Sequence, residues 1–117
     1  MIKIGIVGTG GIAEWHASSF KENKNSEVVA ACDVNKDRLN EFCNKFNIEN
    51  RYNSVEELLD KSNVDAISNT TPDAFHKEIS IKAIDKNKHI FCEKPLAENH
   101  ADAQLMCEAL KGKNLIN

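Results

Sequence analysis

The segment Gly8-Thr9-Gly10-Gly11-Ile12-Ala13 carries the G-x-G-x-x-A spacing. Such a pattern lets backbone N–H groups approach an anion that side chains would hold away. Gly8 suits a tight turn, Gly10 opens the backbone to a pyrophosphate, and Ala13 lets a helix pack closely on a strand. A helix starting here adds unpaired N–H groups and about half a positive charge at its N-terminus. Asp33 stands 20 residues beyond Ala13, where a carboxylate can accept both hydroxyls of an adenine ribose. The same carboxylate repels a 2′-phosphate, so the pattern favours NAD over NADP as the cofactor. Lys36 and Arg38 support the opposite reading, since both could close on a 2′-phosphate. Arg38 could also bind the adenine face, and both are equally read as solvated charges on a helix.

Two further groups lie where a substrate would be met. Thr71-Pro72-Asp73-x-x-His76 and Glu93-Lys94-Pro95 each follow an apolar run. In an open α/β sheet the carboxyl ends of the strands border the ligand crevice. Lys94 beside bound nicotinamide is a candidate for proton transfer, and it is also read as a surface lysine after a strand. His76 is open to two readings, a site residue or a helix histidine bonded to its neighbours.

These residues need a frame, and hydrophobic periodicity supplies one. Ile2, Ile4, Ile6 and Val7 form a first strand, and Ile12, Ala13, His16, Ala17 and Phe20 fall on one side of the helix after the glycines. Val28 to Cys32 reads as a second strand, followed by a helix with Leu39, Phe42, Cys43 and Phe46 at i, i+3, i+4 and i+7. A short third strand fits around Arg51 and Tyr52, and Ser54 with Glu57 forms a capping box for a helix burying Val55, Leu58 and Leu59. Val64 to Thr70 is a fourth strand. Thr71 as N-cap and Pro72 at the first helical position open a helix running from Asp73 to about Lys86. Lys88 to Cys92 is a fifth strand. Asn99 with Asp102 caps a last helix bearing Ala101, Leu105, Ala109 and Leu110, which Gly112 ends, and Lys113 to Asn117 begins a sixth strand. Alternating strands and helices in this order predict the α/β class, a doubly wound parallel sheet of five to six strands in three αβα layers, the Rossmann arrangement.

The chain has 117 residues, 41% hydrophobic, which is one domain over residues 1–117. Folding a chain of this size buries roughly 65% of its unfolded surface, enough for a core without disulfides or metal. Fifteen basic against 18 acidic residues give a net charge of −3, so nothing favours nucleic acid or an anionic membrane. No apolar run approaches the length of a membrane span or a signal sequence, and a cytoplasmic location is expected. Cys32, Cys43, Cys92 and Cys107 form no C-x-x-C pair; reduced, buried thiols and no metal site are expected.

Taken together, the glycine segment, Cys32-Asp33, Tyr52-x-Ser54-x-Glu56-Glu57-Leu58-Leu59, Val64-Asp65-Ala66-Ile67, Thr71-Pro72-x-x-x-His76 and His89-Ile90-Phe91-Cys92-Glu93-Lys94-Pro95-Leu96-Ala97 resemble the amino-terminal domain of the glucose–fructose oxidoreductase, inositol dehydrogenase and rhizopine catabolism (Gfo/Idh/MocA) family. The resemblance spans nearly the whole chain, and the E-K-P triplet is its most specific motif. It implies an NAD(P)-dependent oxidoreductase acting on a sugar, cyclitol or other polyhydroxylated small molecule. Its cofactor contacts fall on Gly8 to Ala13, Asp33, Arg38, Thr71, Pro72, Asp73, His76, Glu93, Lys94 and Pro95. The resemblance also implies that Lys94 polarises or protonates the reacting oxygen and that Lys94-Pro95 is a cis peptide. The remaining acid/base groups, most substrate contacts and an oligomer interface would come from a C-terminal domain absent from this chain.

Three departures from the family pattern stand out. Asp73 replaces a frequent Asn, Ser68 and Asn69 put polar groups in the fourth strand, and Asn47 and Asn87 stand where glycines are usual. A buried polar group without a partner costs about 1–3 kcal/mol. Asn tolerates the left-handed conformation, so the caps hold. The expectation is a cofactor domain cut at a domain boundary, binding NAD without catalysing. The alternative is a stand-alone NAD-binding module that senses occupancy and pairs with a partner or a second copy. A methyltransferase shares the glycine loop and the acid, but not Glu93-Lys94-Pro95 or Thr71-Pro72.

Overall fold

A computed structural model describes residues 1–117. The elements are β1 (Ile2–Val7), α1 (Gly11–Glu22), β2 (Ser26–Cys32), α2 (Lys36–Phe46), β3 (Asn50–Tyr52), α3 (Val55–Lys61), β4 (Ala66–Asn69), α4 (His76–Asp85), β5 (His89–Cys92) and α5 (His100–Ala109). A 3₁₀ turn over Asp73–Phe75 leads into α4. The five strands pair in parallel in the order β3-β2-β1-β4-β5. This is the doubly wound sheet, and its order reverses between β1 and β4, where a crevice opens at the carboxyl ends.

Alternation along β1 assigns its side chains to two cores. Ile4 and Ile6 pack with Ala13, Ala17, Leu39 and Phe42 on one face, and Val7 packs with Leu58, Val64, Ile67 and Ala83 on the other. Parallel strands covered on both faces are apolar on both faces, as β1 is. Small residues control the spacing: Ala13 and Ala17 are almost fully buried where α1 lies on the sheet.

The caps follow the side-chain chemistry expected of them. Asn35, Ser54 and Asn99 each accept a backbone N–H from three residues on, at the starts of α2, α3 and α5. Asn47 and Asn87 take φ of 57° and 55°, the left-handed conformation that lets each replace a glycine. The polar groups of β4 are all satisfied, and no buried side-chain nitrogen or oxygen in the chain lacks a partner.

The structure differs from the expected elements in four places. Pro72, at φ −57° and ψ 152°, is extended and precedes the 3₁₀ turn, so Thr71 is not a helix cap. Its hydroxyl instead donates to Asn69 Oδ1 at 2.6 Å. Ile12 is half exposed, as is Leu105, and α5 buries Met106 instead. Residues 113–117 form no strand, although Ile90 N–H donates to Ile116 O at 3.0 Å along the outer edge of β5. The four thiols are free, yet only Cys32 and Cys43 are buried; Cys92 is half-buried and Cys107 exposed, because α5 turns that side outward.

Candidate functional site

The glycine loop runs from the end of β1 to the start of α1. Gly8 has φ +87°, and a Cβ there would lie 2.8 Å from Thr70 O and Thr71 N, so the loops after β1 and β4 touch only because Gly8 has no side chain. Around Gly10 and Gly11 the opposite holds: a Cβ at either would meet nothing within 4 Å. Gly10 is the N-cap of α1 and provides no side-chain cap. No side chain receives the N–H groups of Gly11 and Ile12 at this end of α1, which is the arrangement an anion such as a pyrophosphate fills.

Asp33, just past β2, is buried and ties the loop in place. Its Oδ2 accepts both the N–H and the hydroxyl of Thr9, at 2.9 and 2.8 Å. Oδ1 accepts the N–H of Asn35 at 2.8 Å. Arg38 adds two bonds, Nε to Oδ2 at 2.9 Å and Nη2 to Oδ1 at 3.0 Å. Burial alone would raise the carboxyl, but the bonds from Arg38, Thr9 and Asn35 more than offset it and bring it down to about 2. The Arg38 guanidinium is thus paired with Asp33, while half of its side chain stays exposed. A cavity of about 350 Å³ opens here, lined by Gly8, Asp33, Val34, Arg38, Pro72 and Phe75. A larger one, about 440 Å³, lies at the amino ends of β1 and β2 beside Met1, Lys24 and Phe46, and holds none of the motif residues.

The loops after β4 and β5 complete the crevice. Thr70 donates its hydroxyl to Gly8 O at 2.6 Å, and Glu93 N–H donates to Asn69 O at 3.1 Å. His76 is almost fully buried, with Nδ1 2.6 Å from Pro95 O and Nε2 2.8 Å from Thr71 O. Both partners are backbone carbonyls, one from each loop. His76 thus clamps the two loops together and keeps no ring atom free toward the crevice. Pro72, Asp73, Lys94 and Pro95 are exposed there, Thr71 is half-buried, and Lys94-Pro95 is cis.

One residue of the site was not legible as such in the sequence. His16, placed above only on one side of the helix after the glycines, lies with Nε2 2.7 Å from Glu93 Oε1 and Nδ1 2.7 Å from Ser68 Oγ. That contact holds Glu93 below the usual carboxylate range, with the nearby Lys94 as a lesser contributor. The only sequence sign was a histidine one turn after Ala13 on the buried face of α1.

The sequence signature of the oxidoreductase family with an NAD-binding Rossmann fold, Gfo/Idh/MocA, matches residues 2–116. The chain belongs to that family. Among curated Gfo/Idh/MocA relatives, a myo-inositol 2-dehydrogenase of Thermotoga maritima is 36% identical over 98% of this chain and 34% of its own length. A glucose-6-phosphate 3-dehydrogenase of Bacillus subtilis is 38% identical over 91% of the chain and 29% of its own length. The WlbA dehydrogenase of Bordetella pertussis, crystallised with NADH and UDP-GlcNAcA, superposes with a TM-score of 0.88 at 28% identity, covering 92% of this chain and 34% of that one. The chain therefore spans about a third of the length of these relatives and corresponds to the NAD-binding domain of the Gfo/Idh/MocA family. No helix is long and apolar enough to cross a membrane.

Proposed function

We propose that the chain is the NAD-binding part of an oxidoreductase that acts on a sugar, cyclitol or related polyhydroxylated compound. The observation that carries this reading is the uncapped N-terminus of α1, with Asp33 buried at the end of β2. When bound, a nicotinamide cofactor supplies hydride acceptance or donation at a substrate carbon. The N–H groups of Gly11 and Ile12 would hold the pyrophosphate. Asp33 would accept the ribose hydroxyls, exchanging its two Arg38 bonds for them, and would disfavour a 2′-phosphate. Thr71, Pro72 and Asp73 would border the dinucleotide from the β4 side.

Lys94 would hold a proton at the reacting oxygen. Its ammonium makes no ion pair within the chain, and it stands on the loop that His76 ties to the end of β4. Phe91 and Leu96, three residues before it and two after, are exposed apolar side chains suited to being covered by the remainder of a longer protein. The chain alone offers one wall of a substrate site, whereas reaction needs the two partners held about 3–3.5 Å apart. Mixed with NAD⁺ and myo-inositol or glucose, the 117-residue chain should bind cofactor yet produce no NADH absorbance. Turnover by the chain alone would overturn the division of labour proposed.

A further inference from the structure

Glu93 sends its two carboxylate oxygens to two different places. Oε1 meets His16 Nε2 at 2.7 Å, and Oε2 accepts the N–H of Lys94 at 3.2 Å. A carboxylate only accepts, so Nε2 carries a proton toward Glu93, while Nδ1 pairs with the Ser68 hydroxyl. The His16 ring is 9% exposed, and it packs against Phe91 and Phe20 with centroids 5.1 and 6.3 Å away. Its orientation is fixed from every side. The acid next to Lys94 in sequence is therefore held by α1, and the Lys94 ammonium is left without an ion-pair partner.

We propose that His16 is a positioning residue: by holding Glu93 it keeps the Lys94 ammonium from pairing with its neighbour and leaves it available to the nicotinamide end of the cofactor. The proposal rests on the NAD-binding reading above. It also gives α1 two tasks, since the helix whose N-terminus faces the phosphates carries the residue that sets the catalytic loop. Without His16, the Glu93 carboxylate is free to turn onto the adjacent ammonium.

The test uses the charge difference between the oxidised and reduced rings. A free ammonium disfavours the cationic ring of NAD⁺ relative to the neutral ring of NADH, so the ratio of NADH to NAD⁺ affinity reports it. Titrations of the 117-residue chain with NAD⁺, NADH and ADP-ribose measure that ratio and the adenosine-diphosphate contacts separately. His16→Leu should lower the ratio on the order of fivefold, to the value of Lys94→Met. His16→Gln, whose amide reaches the Nε2 position, should keep the wild-type ratio. His16→Asn, which reaches only the Nδ1 position, should behave like His16→Leu and serves if that variant does not fold. ADP-ribose affinity should be the same in the wild type and the His16 variants. An unchanged ratio in His16→Leu or His16→Asn would overturn the proposal alone, as would affinities for all three ligands falling in step. Failure of the wild type to bind ADP-ribose would overturn the NAD-binding reading itself.

Discussion

Arg38 and Asp33 meet through two parallel hydrogen bonds, 2.9 and 3.0 Å long, in the wall of the cavity that Gly8, Pro72 and Phe75 also line. The pair is asymmetric: the Asp33 carboxylate is 2% exposed and the Arg38 side chain 52%. Arg38 can therefore swing into solvent while Asp33 cannot, and the carboxylate is the fixed partner that a ribose would find.

That fixity predicts a pH dependence. Asp33 titrates from 3.8 in the unfolded chain to about 2 in the folded one. A lowered carboxyl contributes stability above the unfolded value, and that stability is lost as pH falls through the folded value. The advantage of the wild type over Asp33→Ala in urea unfolding should be full at about pH 6 and shrink steadily between about pH 4 and pH 2. An advantage that stays constant across that window would contradict the bonding described.

The two glycines of the loop should separate stability from binding. Gly8→Ala forces a side chain into positive φ and against Thr70 O, which costs about 1–3 kcal/mol and lowers the unfolding midpoint. Gly10→Ala meets open space, so its midpoint should stay within error while NAD⁺ affinity falls by about tenfold or more. Equal loss of stability in both variants would remove the distinction.

Cofactor choice should follow Asp33. The wild type should bind NAD⁺ at least about tenfold more tightly than NADP⁺. Asp33→Ser removes the fixed negative charge and releases Arg38 toward a 2′-phosphate, so the gap should narrow or reverse. A preference for NADP⁺ in the wild type would show that Arg38 already dominates the pocket.

Thiol chemistry offers a check on the outer face of the fold. Burial, and then the charge of Asp33, push Cys32 up to about 12, and burial also raises Cys43 and Cys92. Only Cys107 is exposed. An aromatic disulfide reagent should modify one thiol quickly in the native chain and the remainder only on unfolding. A second fast thiol would place Cys92 outside the fold described.

The sequence made the frame legible because local signals and tertiary structure agree there. Glycine spacing, the Ser54 cap, the two left-handed asparagines and the alternation of β1 all act over a few residues and survive folding unchanged. The departures share a different cause, namely competing partners inside the folded core. Thr71 looks like a helix cap, but Asn69 two residues back competes for its hydroxyl from inside the core. Ser68 and Asn69 look costly in a strand, yet His16, His76 and Ser80 satisfy them across gaps of 52, 7 and 11 residues. His16 itself has no spacing that points to Glu93, 77 residues away, because only the sheet order brings α1 beside the end of β5.

Calorimetric titration of the 117-residue chain with NAD⁺ tests the central claim most directly. The wild type should bind one equivalent, Asp33→Ala should bind about tenfold more weakly or worse, and Gly10→Arg should not bind. No heat from the wild type, or equally tight binding by both variants, would contradict the dinucleotide site.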